Sequence, residues 1–251
     1  MKKNTSHTTR KAVLEIKDLY KGFGDLKVLN GFNLVLYEGE NLVMMGKSGS
    51  GKSVMIKCMV GLLEPDSGNI KILGKDISTL NRQEMDALRT EIGFLFQGSA
   101  LYDSMTVREN LEFPLRRHTK KFDLKNTDEL VMEALRNVGL EHTVDFMPEE
   151  LSGGMQRRIA LARALILKPK IILYDEPTTG LDPITSKEII ELMKTIQEKY
   201  NTSSLIITHD VDCARVISNR MILLLDGINY VEGTFQELST SDDPKAKAFF
   251  K

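Results

Sequence analysis

A glycine-rich motif restricts the possible folds of this chain more than any other feature of its 251 residues. Residues 46–53 read G-K-S-G-S-G-K-S and fit the pattern G-x-x-x-x-G-K-[ST]. The apolar run 42–45 precedes the motif, and a helical pattern over 52–62 follows it. Glycines allow a backbone to wrap around a phosphate while a helix N-terminus faces the anion. The sequence therefore predicts a strand, a phosphate-binding loop and a helix in that order.

The side chains at the end of this motif indicate a nucleoside triphosphate with Mg²⁺ as the ligand. Lys52 is expected to reach the β- and γ-phosphates, and Ser53 is expected to offer its hydroxyl to the metal ion. Successive backbone N–H groups supply the other phosphate contacts. The predicted nucleotide-binding residues, called the phosphate loop below, are Gly46, Lys47, Ser48, Gly49, Ser50, Gly51, Lys52 and Ser53.

Two carboxylates follow a second apolar run. Residues 171–176 read I-I-L-Y-D-E, and ligands of open α/β sheets bind beyond the carboxyl ends of the strands. Asp175 is predicted to hold Mg²⁺ through water, and Glu176 is predicted to orient and polarise an attacking water. An isolated Asp-Glu pair is more often a solvated strand end. Beside a phosphate loop, the catalytic interpretation is favoured.

Strand-like runs alternate with helical patterns over much of the chain, which predicts an α/β fold with a mainly parallel sheet. The predicted strands are 13–16, 32–37, 42–45, 70–73, 92–96, 171–174, 205–208 and 221–225. The predicted helices between them are 52–62, 82–90, 186–200 and 210–218.

The stretch from 98 to 167 breaks this alternation, because it holds three helical patterns and no convincing strand. Thr106 with Glu109, and Asn126 with Glu129, have the spacing of a capping box. We therefore predict one domain with an inserted helical unit. Its nucleotide-binding α/β core comprises residues 1–97 and 168–251, and the helical unit comprises residues 98–167.

Composition excludes several classes of protein. Lys and Arg total 34 and Asp and Glu total 35, a net charge of −1, which argues against general nucleic-acid binding. No apolar run approaches the roughly 20 residues of a membrane-spanning helix. The basic segment 1–11 has no apolar stretch behind it and predicts no secretory signal. With Cys58 and Cys213 as the only cysteines, a reducing compartment is expected.

A second glycine-containing turn lies at residues 151–156, which read L-S-G-G-M-Q. Alone, such a turn is an ordinary flexible segment. Here it precedes a helical pattern, so that Ser152 can cap the helix while the glycines expose N–H groups to an anion. One nucleotide seldom needs two such loops from one subunit. We infer that one copy of the chain completes the site of another.

These motifs together resemble those of an ABC-type ATPase cassette. The phosphate loop, Gln97, LSGGMQ, YDE, TGLD at 179–182 and His209 occur in the order and spacing of that family over nearly the whole chain. The resemblance implies a P-loop NTPase fold with a RecA-like, mainly parallel core, an antiparallel β region and an inserted helical subdomain. It also implies that ATP and Mg²⁺ are bound and that ATP is hydrolysed.

The resemblance further implies a homodimer with two shared sites. ATP would lie between the phosphate loop of one copy and the Ser-Gly-Gly turn of the other, which comprises Ser152, Gly153 and Gly154. Gln97 would sense Mg²⁺ and the nucleophilic water, and His209 would contact the γ-phosphate. With Glu176 and Lys52, these two residues form the predicted catalytic set.

Two more expectations rest on the same resemblance. Asp182 would help to connect the two sites of the dimer. An aromatic residue near the start of the chain would stack on adenine, and we favour Phe23 over Tyr20. Phe23 with Gly24 stands at the expected distance before Val28.

A narrower resemblance concerns the transported molecule. Residues 93–119, together with 182–185 and 241–250, are similar to the ATPase of Mla/MCE-type lipid transporters. This similarity implies a phospholipid transporter with a membrane permease and an MCE-domain protein as partners. It also implies a peripheral location on the cytoplasmic face of the inner membrane.

Three apolar residues in the same segment are candidates for contact with the permease. Leu101, Tyr102 and Met105 lie in a polar stretch and would suit docking against a membrane subunit. The alternative is that they cover the core of the helical unit itself.

Other functions remain open at this point. A small-solute importer, for example of amino acids, shares every ATPase motif. A chromosome-maintenance or translation ATPase is less favoured, because the segment between Gln97 and Leu151 has no sustained heptads and the chain has one cassette. An inactive scaffold is disfavoured by the presence of Glu176 and His209.

Overall fold

The computed structural model describes residues 10–47, 49–118 and 126–250. The phosphate-loop residue Ser48 and the segment 1–9 lie outside these ranges. The strands are β1 (Ala12–Phe23), β2 (Leu26–Tyr37), β3 (Asn41–Gly46), β4 (Ser67–Ile72), β5 (Lys75–Asp76), β6 (Ile92–Leu95), β7 (Ile171–Asp175), β8 (Ser203–Ile207), β9 (Arg220–Leu225) and β10 (Ile228–Gly233). The helices are α1 (Lys52–Met59), α2 (Arg82–Arg89), α3 (Val107–Arg117), α4 (Thr127–Val138), α5 (Gly153–Leu165), α6 (Pro183–Tyr200), α7 (Val211–Ile217), α8 (Phe235–Ser239) and α9 (Pro244–Lys247).

The central sheet has six strands in the order β10-β9-β3-β8-β7-β6. Strands β9, β3, β8, β7 and β6 run parallel to one another, and β10 returns antiparallel along β9. The continuous apolar runs of β3 and β8 are buried along their whole length, as expected for strands covered on both faces. The predicted mainly parallel α/β core is therefore confirmed. The carboxyl ends of β3 and β7, separated by β8, lie at the same edge.

A second sheet has four strands in the order β2-β1-β4-β5 and is antiparallel throughout. Strands β1 and β2 form a long hairpin whose last pair is Phe23 with Leu26. The inward residues of this sheet join the apolar core beneath the central sheet, with Phe32 fully buried among them. The antiparallel β region implied by the family resemblance is thus present.

The helical unit has an apolar core of its own, formed by α3, α4 and α5 around Leu111, Leu135 and Ile159. At the start of α3, Thr106 and Glu109 form the predicted capping box, with the Thr106 hydroxyl accepting from the Glu109 N–H at 3.2 Å.

The start of α4 differs from the prediction. Asn126 makes no side-chain capping bond, and its φ of −104° and ψ of 15° depart from the extended geometry that a capping side chain requires. The predicted capping box at Asn126 and Glu129 is therefore wrong.

Other features of the fold also differ from the sequence-based prediction, including the short elements β5, α8 and α9, which were not predicted. Helix α6 begins three residues earlier than predicted, because the Asp182 carboxylate caps the N–H groups of Ile184 and Thr185, each at 3.0 Å. Strand β10 was not predicted, since its half-exposed sequence lacks a continuous apolar run.

Cys58 and Cys213 are both free and buried. Over the three ranges of the chain that the structure describes, no helix is long and apolar enough to cross a membrane.

Candidate functional site

An open cleft of about 740 Å³ lies at the carboxyl edge of the central sheet. It is lined by the described residues of the phosphate loop except Ser50, and by further residues that include four predicted site residues from other segments. These four are Gln97, Asp175, Glu176 and His209. The structure thus brings together, in one cleft, residues that are more than a hundred positions apart in sequence. We call this region the nucleotide cleft.

The phosphate loop has a shape that only glycine permits at two positions. A Cβ on Gly46 would lie 2.6 Å from the Ser50 Oγ and 3.0 Å from the carbonyl oxygen of Leu224. Gly51 has a φ of +104° directly before α1, and a Cβ there would lie 3.0 Å from the carbonyl oxygen of Val28. Close backbone approach of this kind is what a phosphate cradle requires. The buried Ser50 hydroxyl has no hydrogen-bond partner among the described residues, which fits a donor awaiting an anion.

Lys52 lies across the mouth of this loop. Its ammonium donates to the carbonyl oxygens of Gly46 at 2.7 Å and Lys47 at 3.0 Å. Burial lowers the pKa of Lys52, while the charges of Glu176 and Asp175 oppose that shift. The ammonium is therefore held between the loop and the two carboxylates, where it can meet the terminal phosphates of a nucleotide.

Asp175 ends strand β7 and is half-buried. Burial raises the pKa of its carboxyl first, the neighbouring charge of Glu176 raises it further, and Lys52 opposes the shift. A carboxylate with an unfavourable environment in the protein alone is stabilised when a divalent cation arrives. This electrostatic setting fits the predicted metal role.

Glu176 has a strained backbone conformation. Its φ is +52°, in the left-handed region that non-glycine residues rarely adopt. Its N–H nevertheless donates to the carbonyl oxygen of Ile207 at 2.8 Å, which ties the residue to the end of β8. Such strain occurs chiefly where function requires a fixed side-chain direction.

The Glu176 carboxylate receives several hydrogen bonds at one oxygen. Its Oε2 lies 2.8 Å from the Nδ1 of His209. It also accepts from the Thr179 hydroxyl at 3.1 Å and from the His209 backbone N–H at 3.4 Å. Glu176 is buried, whereas the side chain of His209 is 70% exposed at the mouth of the cleft. The sequence predicted both residues for the site but not their direct contact.

The oxygen donors of the cleft suit Mg²⁺. Ser53, Gln97 and Asp175 line it together and offer a hydroxyl, an amide oxygen and a carboxylate, which are hard ligands of the type Mg²⁺ prefers. Among the residues that the structure describes, no group of three or more His, Cys, Asp or Glu side chains is arranged to hold a metal by itself. Nucleotide phosphates would therefore have to supply the remaining ligands, as is usual for Mg²⁺.

Phe23 lies at the tip of the β1–β2 hairpin and is 50% exposed. It is not among the residues that line the cleft, although Val28 of the next strand is. The Lys21 ammonium lies 5.7 Å from the centre of the Phe23 ring. Tyr20 is also exposed, so the choice of Phe23 for adenine stacking stays a prediction.

The Ser-Gly-Gly turn is not part of the nucleotide cleft of its own chain. Ser152 caps α5 by accepting from the Met155 N–H at 3.3 Å. Gly154 packs so closely on α6 that a Cβ would lie 2.6 Å from the Thr185 Cγ2. Ser152 and Gly153 are exposed to solvent. The turn is therefore free, on the described part of the chain, to meet a ligand bound elsewhere.

Sequence analysis did not predict one wall of the cleft, which is formed by Ala248 and Phe249. A T-shaped contact between Phe235 and Phe250, with ring centres 5.5 Å apart, holds this segment beside α8. The only sequence signal is a pair of phenylalanines at the end of a polar segment. An apolar pair in such a place is equally consistent with simple packing.

Comparison with known proteins agrees with the geometry. The family model described as "ABC transporter" matches residues 29–179. The chain is 42% identical over 236 residues to a probable ribonucleotide transport ATP-binding protein of Mycobacterium leprae, a match that covers 94% of this chain and 68% of that protein. It is 37% identical over 239 residues to the intermembrane phospholipid transport system ATP-binding protein MlaF of Haemophilus influenzae, covering 95% and 90%.

Solved structures are similar as well. The ATP-binding cassette MJ0796, in a dimeric post-hydrolysis state bound to ADP and Pi, matches with a TM-score of 0.79 and 34% identity over 88% of this chain and 98% of that one. CbiO1 of Clostridium perfringens, part of the ABC transporter complex cbiONQ, matches with a TM-score of 0.84 and 29% identity over 95% and 94%.

Proposed function

This chain belongs to the ABC transporter family and is an ATP-hydrolysing enzyme, and on that premise we propose that it powers phospholipid transport across or from the inner membrane. The observation that carries the lipid proposal is the end-to-end match to MlaF, which covers 90% of that protein's length. The segment 93–119 adds a resemblance to lipid-transporter ATPases at the position expected to face a membrane subunit.

We assign the steps of hydrolysis to residues of the nucleotide cleft. Lys52 and the backbone of the phosphate loop bind the terminal phosphates and offset their charge. When bound, Mg²⁺ supplies Lewis-acid stabilisation of the transferred phosphoryl group. Glu176 orients and polarises the attacking water, and its contact with His209 keeps the imidazole beside the position of the γ-phosphate. Gln97 lines the same cleft, where it would sense both the metal and the water.

We infer that hydrolysis takes place in a homodimer. The exposed Ser-Gly-Gly turn lies outside its own cleft, and this arrangement supports a head-to-tail pair in which each turn faces the nucleotide of the other copy. Helix N-termini bind anions through free N–H groups and the helix dipole. The dimer closes only when the γ-phosphate is present. ATP binding and hydrolysis therefore shift the equilibrium between the open and the closed dimer.

A rigid loop beside the cleft is our candidate contact with the membrane permease. Asn110 is fully buried, and its amide donates to the carbonyl oxygens of Tyr102 at 3.1 Å and of Met105 at 3.0 Å. Tyr102 itself is exposed and packs on Phe113, while Leu101 packs against the protein's own core. The exposed tyrosine therefore fits docking, and Leu101 fits the alternative of internal packing.

A separate groove of about 430 Å³ has apolar lining residues that include Leu62, Phe94 and Phe96. Leu62 is 72% exposed and Phe96 is 47% exposed. Apolar residues that remain exposed as a group favour a binding surface over a solvated one. We propose that a cytoplasmic helix of the permease occupies this groove.

The second candidate is a small-solute importer. The chain is 41% identical to the methionine import ATP-binding protein MetN of Clostridium tetani over 86% of its own length, although it covers only 67% of that protein. The motifs of the nucleotide cleft do not distinguish the two substrates, since both classes hydrolyse ATP in the same way.

Copurification from native membranes tests the proposal. The tagged full-length chain is expected to bring down a permease, an MCE-domain protein and bound phospholipid, measured by mass spectrometry of proteins and lipids. The control for lipid enrichment is the Tyr102→Asp variant, which is expected to weaken docking. Recovery of a solute-binding protein, with no more phospholipid than this control brings down, would overturn the lipid assignment.

A further inference from the structure

Arg157 is a buried arginine on the helix that follows the Ser-Gly-Gly turn. It lies about one turn into α5 and is only 4% exposed. Burial lowers the pKa of its guanidinium, and the described residues provide no carboxylate that offsets the shift. Its Nε has no hydrogen-bond partner among them. A cation in such a place is costly, because burial removes its hydration and no opposite charge replaces it.

The guanidinium contacts two loops that both belong to the nucleotide cleft. Its Nη1 donates to the carbonyl oxygen of Phe96 at 2.8 Å, and its Nη2 donates to the carbonyl oxygen of Thr179 at 3.2 Å. Phe96 directly precedes Gln97. Thr179 in turn donates from its hydroxyl to the Glu176 carboxylate at 3.1 Å. One side chain of α5 is thus linked to both the Gln97 segment and the Glu176 segment.

We propose that Arg157 is a positioning residue for ATP hydrolysis, which transmits the movement of the Ser-Gly-Gly turn to Gln97 and Glu176 of the same subunit. This inference rests on the shared-site dimer of the proposed function. Ser152 opens the helix that carries Arg157, so α5 cannot shift on the partner's nucleotide without moving the guanidinium. The carbonyl oxygens of Phe96 and Thr179 move with the guanidinium, because this planar group holds both at fixed relative positions.

The geometry requires arginine and not merely a positive charge. Lysine presents one compact ammonium on a flexible stem, so it reaches one of the two carbonyl oxygens and does not fix their relative positions. A purely structural role predicts that Arg157→Lys retains activity, since the charge and the apolar stem remain. A positioning role predicts that Arg157→Lys loses it while the protein stays folded.

The test compares two variants of the full-length chain with a matched control. Arg157→Gln and Arg157→Lys are measured for kcat, KM for ATP and thermal stability. The control is Arg220→Gln, which removes a partly buried arginine whose Nε donates to Glu40 at 2.9 Å at the opposite end of the sheet. We expect kcat of both Arg157 variants to fall by about tenfold or more, with KM for ATP within about twofold of wild type.

The same variants are combined with Glu176→Gln and tested for ATP-dependent dimers by size-exclusion chromatography. We expect dimers to form, because the residues that contact nucleotide are intact. The inference is overturned if Arg157→Lys keeps a kcat within about twofold of wild type, or if Arg220→Gln loses as much kcat as Arg157→Gln at equal thermal stability. A wild-type chain that hydrolyses ATP without ever dimerising would instead overturn the shared-site function, and the inference with it.

Discussion

At the scale of single residues, Glu176 combines two unfavourable features, its backbone conformation and its burial, with hydrogen bonds that compensate for them. Its backbone is left-handed, its carboxylate is buried, and one oxygen receives the contacts of both Thr179 and His209. A left-handed non-glycine residue costs about 1–3 kcal/mol. The surrounding hydrogen bonds offset that cost, and those from the described residues all reach Oε2, which leaves Oε1 available to a water. This fixed placement supports a role in which the direction of the Glu176 carboxylate matters more than its charge alone.

Replacing Glu176 with Gln tests this role. The amide keeps the size of the side chain but is a far weaker base, so kcat is expected to fall by about 10²-fold or more while ATP remains bound. ATP-bound dimers should accumulate, as seen by size-exclusion chromatography alongside a phosphate-release assay. Glu198→Gln, on the exposed face of α6, is the control. Steady-state hydrolysis at the wild-type rate in Glu176→Gln would contradict the assignment.

Asp175 should show a trade between stability and function. Because burial raises its pKa, the folded chain holds the proton more tightly than the unfolded chain, and ionisation above that pKa lowers stability. Asp175→Asn removes this penalty. We expect the variant to have a higher Tm than wild type without nucleotide at about pH 8, and the difference to shrink as the pH falls toward the ordinary carboxyl pKa of about 4.

The same substitution removes a carboxylate that Mg²⁺ needs, so Mg²⁺-dependent ATP hydrolysis should be lost. Differential scanning fluorimetry and a phosphate-release assay measure the two effects on one sample. An Asp175→Asn protein that is less stable than wild type at the higher pH would contradict this expectation. It would show that the attraction between the Asp175 carboxylate and Lys52 outweighs the desolvation of the carboxylate in the nucleotide-free state.

At the scale of elements, the loop before α3 depends on one amide. Besides the two bonds already described, Asn110 donates to the Thr106 carbonyl oxygen at 3.0 Å and accepts from the Tyr102 N–H at 2.8 Å. Arg163 donates to the same side chain at 3.2 Å. Asn110→Ala leaves several buried groups unpaired and is expected to destabilise the chain by about 2–4 kcal/mol.

The loosened loop should also weaken the copurification of membrane subunits, while ATP binding to the isolated chain persists. Urea unfolding and pull-down measure the two effects. Asn137→Ala, which removes bonds to Tyr200 and Lys199 at the far side of the helical unit, is the control. Equal loss of membrane subunits in both variants would argue that general stability, and not this loop, governs docking.

How far the sequence predicts the fold also depends on the element. Strands with continuous apolar runs, such as β3 and β8, were predicted because burial on both faces leaves a clear pattern. Strand β10 was missed because this edge strand is half-exposed along its length and lacks a continuous apolar run. The early start of α6 depends on the Asp182 cap with Pro183 at the first helical position, a helix-start signal that the periodicity of apolar residues does not contain. The contacts of Arg157 join segments far apart in sequence, and no periodicity or motif within one segment encodes them.

At the scale of the whole molecule, the proposed dimer gives each chain two different half-sites. The nucleotide cleft holds Lys52 and Glu176, and the exposed turn at Ser152 lies outside it. In a head-to-tail pair, the cleft of one copy would meet the turn of the other. Two inactive variants, each with a substitution in a different half-site, can then complement each other when they are mixed.

Mixing Lys52→Ala with Ser152→Phe tests this arrangement. Each variant alone should be inactive, the first because phosphate binding fails and the second because the bulky ring blocks closure. In a mixed dimer, one site carries both lesions and the other carries neither. Phosphate release should therefore return when the two proteins are combined, to about a quarter of the wild-type rate for random pairing of equal amounts.

Mixing Lys52→Ala with Glu176→Gln is the matched control, since both residues line the same cleft. Each subunit of that mixed dimer contributes one damaged cleft, so both sites stay defective and no activity should return. If neither mixture recovers activity although mixed dimers form, the cleft and the turn do not share a nucleotide. If both mixtures recover activity, Lys52 and Glu176 of one subunit do not act in the same nucleotide site. Recovery in the first mixture alone is the result that a head-to-tail dimer requires.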